Sequence, residues 1–393
     1  MGDQGLSALL TAHRLSPMAV DEARMLRERH GRLQAEMARQ AVDVALLLHA
    51  PNVAYSTGVA RRSEDVTHAA NRRSVAVVEA GASSPRVLVD VWPELDEGVA
   101  ALADAVGPLA GRRVAVDELT GAMVRAGMLD GATVVEASQV IAPAKLTKTA
   151  DELACIAEAQ RRNEAAMVGT QAMVRPGVRR SEVAGEFLAQ LASLDGGSTA
   201  NLIDPIFEPM PRTIVVGPRT TTGHVAFPTG VGDPVLADGD LVWVDTGIDH
   251  CGYASDFGRT WVVGRDPTEA ERELFARWCS VMIAVLDEVR PGATGGELCR
   301  AASAVEPADR PWLPHFYLVH GLGVESAEMP LLGTDLGPEF DEGLVLAPGM
   351  VLVVEPVIWE DGVGGYRAEE IVAVTGDGWC HLGGGHDFTP FGS

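Results

Sequence analysis

Residues 239–261 read GDLVWVDTGIDHCGYASDFGRTW. Residues 241–244 form a short apolar run with the length and flanks of a buried strand, and the run ends on Asp245. A turn follows, and then ASDFGRTWVVG, a second strand-like run that opens beside Asp256. A carboxylate inside a desolvated strand is costly unless it is paired or bound to a metal. The same conflict recurs downstream, where LVHGLG carries His320, VVEPVIW carries Glu355 and YRAEEIVAV carries Glu369. A salt-bridged carboxylate or a satisfied core histidine would explain any one of these residues alone. Five of them in one half of the chain, each in a strand setting, point instead to a shared site. Four carboxylates and one imidazole are oxygen-rich, with too little sulfur for structural zinc. That composition suits two divalent ions such as Mn²⁺, Co²⁺, Fe²⁺ or Zn²⁺, with carboxylates bridging them.

Around this set the chain divides by texture. Residues 24–39 are polar and helix-like, and VDVALLLH after them has the look of a buried strand. PNVAYSTG reads as turn-rich, SVAVVEA and PRVLVDV as a strand pair, residues 95–106 as a helix, and RVAVDE and TVVEAS as strands. This alternation predicts an α/β domain over residues 1–147. Thr149 and Glu152 then fit a capping box that opens a long amphipathic helix, with Leu153, Ile156, Ala157, Met167 and Val168 on its apolar face. Residues 148–393 are expected to form a second, α+β domain, with a helix near residues 268–289 and strands at FYLVHGLG, MVLVVEPVIW and AEEIVAVT.

The 393 residues suit two domains of ordinary size, and 47% hydrophobic content excludes intrinsic disorder. With 31 basic against 55 acidic side chains the net charge is −24, which argues against binding nucleic acid or an anionic membrane surface. An acidic surface also suits cationic or zwitterionic substrates, or serves only solubility. No apolar run is long enough to span a membrane, and MGDQGLSALL, with Asp3 and no basic residue, is a poor signal peptide. Five scattered cysteines without CxxC spacing read as reduced thiols, so the expected compartment is the cytoplasm.

The order Asp245, Asp256, His320, Glu355, Glu369, the eleven-residue step between the two aspartates, and the words GDLVWVDTG, GYASDFGRTW, HGLG, LAPGMVLVVEPVIW and YRAEEIV together resemble the pita-bread metallopeptidases. That family includes methionine aminopeptidase, aminopeptidase P, prolidase and creatinase. VDVALLLHAPNVAYSTG and LTKTADELACIAEAQ resemble the smaller N-terminal domain of its creatinase-type members. The resemblance implies that Asp256 and Glu369 bridge two metal ions, that Asp245 completes one ion, and that His320 and Glu355 complete the other. It further implies that Glu355 doubles as a proton shuttle and that Arg367 orients the second glutamate. The implied activity is hydrolysis, by metal-activated water, of an amide or related C–N bond in a small polar substrate or dipeptide. The implied assembly is a homodimer.

The pattern departs from the family at three places. Proline peptidases carry a second histidine seven residues after the ligand histidine; here that position is Ala327, followed by Glu328. His224 is the candidate for the histidine expected before the first aspartate, across a longer gap than usual; it either reaches the site or lies on a loop surface. Gly247 stands where a lyase branch of the fold would carry an extra aspartate. That glycine counts against elimination by a lyase on the same scaffold, which stays an alternative, and a catalytically dead binding module is a more remote one. Trp312, His315, Phe316 and Tyr317 are candidates to shape a pocket or to fill a core. His381 and His386 lie in a glycine-rich stretch read as a mobile terminus. Arg61, Arg62, Arg72 and Arg73 either hold a substrate carboxylate across a dimer interface or are simply solvated.

Overall fold

The computed structural model of the protein describes residues 3–59, 73–194, 206–209, 233–306, 311–312, 316–360 and 362–383. In chain order its elements are α1 (Asp3–Ala12), α2 (Glu22–Arg39), β1 (Val44–Leu47), α3 (Ala50–Thr57), β2 (Arg73–Glu79), β3 (Arg86–Val91), α4 (Asp96–Val106), β4 (Arg113–Val116), α5 (Gly121–Arg125), β5 (Thr133–Glu136), α6 (Ser138–Leu146) and α7 (Ala150–Thr170). There follow α8 (Arg180–Ser193), β6 (Ile206–Pro209), β7 (Leu241–Thr246), β8 (Asp249–His250), β9 (Tyr253–Ala254), β10 (Phe257–Val262), α9 (Glu269–Glu288) and α10 (Gly295–Val305). The last are β11 (Val319–Gly321), β12 (Glu328–Leu332), α11 (Pro338–Gly343), β13 (Val351–Val354), β14 (Val357–Glu360), β15 (Gly364–Arg367), β16 (Glu370–Val374) and β17 (Trp379–His381). Contacts group the chain into two units, Ala19–Glu152 and Met1–Met18 with Leu153–Ser393. No helix among the described residues is long and apolar enough to cross a membrane.

The smaller unit is a mixed sheet in the order β3-β2-β1-β4-β5, antiparallel from β1 to β3 and parallel from β1 to β5. Its core is built from Val44, Leu46, Val75, Val77, Leu102 and Val114. The segment read as turn-rich forms α3 instead. Pro51 lies in the first helical turn, where its missing amide costs nothing, and Gly58 closes the helix in the left-handed region at φ 73°. Asp117 holds the chain entering the helix, taking hydrogen bonds from the Leu48 amide (2.7 Å), the His49 amide (3.2 Å) and Asn52 Nδ2 (3.0 Å). Asp117 is too distant in sequence for local reading to reveal it.

The larger unit contains an antiparallel sheet β10-β7-β6 and an antiparallel sheet β12-β11-β13-β16-β17. Strand β10 is buried throughout and β7 nearly so, packed with Met167, Phe187 and Leu191 from the helices. MVLVVEPVIW, expected as one strand, breaks at Pro356, which has no amide to give a ladder. β13 stays in the five-stranded sheet while β14 pairs with β15, so Glu355 falls at the joint between two sheets. The stretch around His381, expected to be mobile, forms edge strand β17 on β16, with His381 only 1% exposed.

Helix α7 explains how the ligand-bearing strands are registered. Thr149 and Glu152 form the expected box, each amide donating to the other's side chain at 2.7 and 3.2 Å. Val168 is exposed rather than on the packed face. The packed face is partly polar. Asn163, fully buried, donates to the Thr246 carbonyl (2.7 Å) and to Ser255 Oγ (3.1 Å) and accepts from Thr246 Oγ1 (2.9 Å). One amide thus ties the end of β7 to the residue before Asp256. Asn163→Ala strands several buried polar groups and is expected to lower stability by about 1–3 kcal/mol. Denaturant titration checks this; an unchanged midpoint would show that water replaces the amide without cost.

Candidate metal centre

Two sheets converge on one point. Antiparallel pairing of β7 with β10 sets Asp245 opposite Gly258, and Asp256 immediately precedes β10. From the other sheet, His320 on β11 lies opposite Val353 of β13, Glu355 follows β13, and Glu369 precedes β16. The chain needs glycine at Gly258, because a Cβ there would lie 2.8 Å from the Glu369 carboxyl carbon.

All five residues singled out from the sequence come together. Carboxylate oxygens of Asp245, Asp256 and Glu369 all lie within 4.8 Å of one another. His320 Nε2 is 3.3 Å from Asp256 Oδ2 and 3.6 Å from Glu355 Oε1. The other ring nitrogen, Nδ1, lies 2.9 Å from the Gly321 carbonyl, which orients the ring so that Nε2 faces the carboxylates. Arg367 is the counter-charge. Its Nε donates to Glu355 Oε2 at 3.0 Å, where Nη2 also reaches, and Nη1 donates to Asp245 Oδ2 at 3.2 Å. Glu369 Oε2 is farther from the guanidinium, at 3.9 Å. The guanidinium stacks on Trp243, 3.6 Å from the ring centre, so its plane is fixed.

The electrostatics leave a deficit of positive charge. Four carboxylates face one guanidinium and one imidazole, and His320, Glu355, Arg367 and Glu369 are each at most 3% exposed. Burial pushes Asp245 up to about 6 and Glu355 up to about 7, while Arg367 pulls both down. Burial, with the Asp256 charge behind it, holds Glu369 well above the usual carboxylate range. Burial alone would lower His320, but Asp256 and Glu355 outweigh it and raise the imidazole. Glu355 Oε1 and Glu369 Oε1 are buried without a hydrogen-bond partner among the described residues. Orphaned acceptors turned toward a basic nitrogen and other carboxylates are the donor set a cation requires. The residues present therefore fit divalent metal.

Around this set lie residues that the sequence did not single out. Gln160 Oε1 accepts from the Asp256 amide at 3.2 Å, and Thr260 Oγ1 accepts from the Arg367 amide at 3.0 Å while donating to its carbonyl at 2.6 Å. Buried polar side chains on a helix that reads as amphipathic were the available signal for Gln160 and Asn163. Of the aromatic candidates, Tyr317 lies 4.8 Å from the His320 ring and stacks on Phe316. Burial, aided by the Glu355 charge, raises its phenol so that it stays protonated. Trp312 is core, donating to the Gly333 carbonyl. Arg73 is held within its own unit by Glu94 and Glu118. His224, His315, His386, Arg61, Arg62 and Arg72 lie outside the described residues.

The family model "Metallopeptidase family M24" matches residues 154–376, more than half of the chain. An Xaa-Pro dipeptidase of Pyrococcus furiosus is 31% identical over 243 residues, 61% of this chain and 63% of that protein. An uncharacterized peptidase, YqhT, of Bacillus subtilis is 28% identical over 254 residues, 64% of this chain and 66% of that protein. The chain thus spans just under two thirds of the length of these curated relatives. Among solved structures, a prolidase from Pyrococcus horikoshii aligns with a TM-score of 0.69 at 22% identity, covering 90% of this chain and 97% of that one. That likeness concerns the fold, and the matching model concerns the lineage: the chain belongs to metallopeptidase family M24 and has the pita-bread fold.

Proposed function

We propose that the protein is a hydrolase dependent on two divalent ions, Mn, Fe, Co or Zn, acting on an amide or related C–N bond of a small polar substrate or dipeptide. The observation that carries this reading is the convergence of Asp245, Asp256 and Glu369 oxygens within 4.8 Å, with His320 and Glu355 beside them. Asp245, Asp256, His320, Glu355 and Glu369 would hold the ions, in the division of roles that the family resemblance implies. When bound, the ions supply Lewis acidity toward a carbonyl oxygen and acidify water near neutral pH.

The chain's own residues do the rest. Arg367 pins Oε2 of Glu355, and Oε1 has no hydrogen-bond partner among the described residues, so a proton can be accepted and passed on at that atom. Tyr317 and Phe316 wall one side with apolar surface and keep the phenol as a donor. The curated relatives named above are an Xaa-Pro dipeptidase and an uncharacterized peptidase, which supports the hydrolytic reading. Ala327, exposed on the bend between β11 and β12, supplies no imidazole for a scissile peptide, which favours a substrate other than ordinary Xaa-Pro dipeptides. A cytoplasmic location is part of this proposal, on five scattered cysteines without CxxC spacing.

Chelator-stripped protein is expected to be inert toward a panel of dipeptides and small guanidino, amidine and amide compounds, with added Mn²⁺ restoring turnover of one class. Asp256→Ala or Glu369→Ala is expected to abolish that turnover, and near-wild-type rates in either variant contradict the ligand set. Turnover that adds water across the bond separates hydrolysis from elimination; release of an alkene product would favour the lyase.

Metal binding is also expected to depend on pH with a definite sign. Asp245 and Glu355 move from ordinary values of 3.8 and 4.5 to about 6 and about 7 on folding without metal. A raised carboxyl stabilises the metal-free fold at low pH and loses that contribution as pH climbs to the folded value. Ions bind the ionised form and cancel the loss. The gain in Tm on adding Mn²⁺ is therefore expected to be larger at about pH 7.5 than at about pH 5.5. A pH-independent gain would place the bound ion elsewhere.

A further inference from the structure

Behind Glu369 lies a second buried ionic group that the proposed chemistry does not use. Arg259 of β10 is 1% exposed, Glu370 of β16 is 3% and His381 of β17 is 1%. Arg259 Nη1 donates to the carbonyls of Gly258 (2.7 Å) and Glu369 (2.8 Å). Its Nη2 donates to Glu370 Oε1 at 2.5 Å, and His381 Nε2 contacts the other oxygen, Oε2. The Glu369 amide in turn donates to the Gly258 carbonyl at 3.2 Å. The backbone on both sides of the Glu369 side chain is therefore clamped to β10, a strand of the other sheet.

The clamp is as rigid as Glu370. With both oxygens bonded, that carboxylate has one orientation and holds the guanidinium flat against the two carbonyls. Without a donor on Oε2, a buried charge would be half-satisfied and free to turn toward another donor, carrying Arg259 with it. His381 is itself fixed from outside: its amide donates to the His13 carbonyl (2.8 Å) and its carbonyl accepts from Leu15 (2.9 Å). The His13 ring stacks on Trp379 with centroids 4.6 Å apart. Gly383 passes so close that a Cβ there would lie 2.6 Å from His381 Nε2. N-terminal residues thus brace the edge strand that carries the imidazole.

We propose that His381 is a positioning residue for the metal ligand Glu369, acting through Glu370 and Arg259. This rests on the reading that Glu369 holds a divalent ion. Mn²⁺ binding to the chelator-stripped full chain, measured by isothermal titration calorimetry, tests it. Glutamine places an amide nitrogen near Nε2 of the imidazole, whereas asparagine places it near Nδ1, short of Glu370. His381→Asn is expected to weaken Mn²⁺ binding about 10- to 100-fold, the range seen when outer partners of metal ligands are removed, and His381→Gln to restore most of it. Glu370→Gln, which keeps the shape and loosens the hold on Arg259, is expected to fall in the same range. A lowered Tm with wild-type affinity in His381→Asn, or wild-type affinity in Glu370→Gln, would make the group merely structural and overturn the proposal. Absence of Mn²⁺ binding in the wild-type chain would overturn the metal reading itself, a different failure.

Discussion

A single guanidinium set against four clustered carboxylates, three of them buried, is the constraint on which the rest of the larger unit depends. Arg367 bonds Glu355 and Asp245, stacks on Trp243 and comes within 3.9 Å of Glu369. One positive charge cannot balance that set. Burial first, and the neighbouring Asp256 charge after it, raises Asp245, Glu355 and Glu369, and Oε1 of Glu355 and of Glu369 has no hydrogen-bond partner among the described residues. Divalent cations would offset the imbalance, and the surrounding fold reads as the apparatus that keeps the carboxylates in place.

That apparatus works by joining two sheets. β10 is the common element: Gly258 lets the Glu369 carboxylate pass, Arg259 grips the Glu369 backbone, and Thr260 bonds both backbone groups of Arg367. From the other side α7 fixes the aspartates through Gln160 and Asn163. Ligands drawn from two sheets can hold a geometry to fractions of an ångström only if such cross-links are buried, where competition from water is absent.

The five ligand candidates were legible because each violates the rule that buried strands avoid charge, and a violation repeated in one half of a chain is informative. Arg367 was legible only through resemblance. What the sequence hid was long-range. Glu370 follows Glu369, and two adjacent glutamates look like surface until β16 buries both of them. His381 sits among glycines that suggest a loose end, yet its partners are Glu370 and a segment near residue 13; His13 and Trp379 meet across 366 residues of chain. α3 was missed because a proline after a strand reads as a turn unless Asp117 is known to hold the segment that enters the helix. The break of β13 and β14 at Pro356 was written in the sequence, but the change of sheet that puts Glu355 at the joint was not.

The measurement that bears most directly on this arrangement is the metal content of the chain purified without chelator, by inductively coupled plasma mass spectrometry. Close to two equivalents of Mn, Fe, Co or Zn per chain is the expected result. No bound metal, even after incubation with excess Mn²⁺ and removal of the free ion, would contradict it.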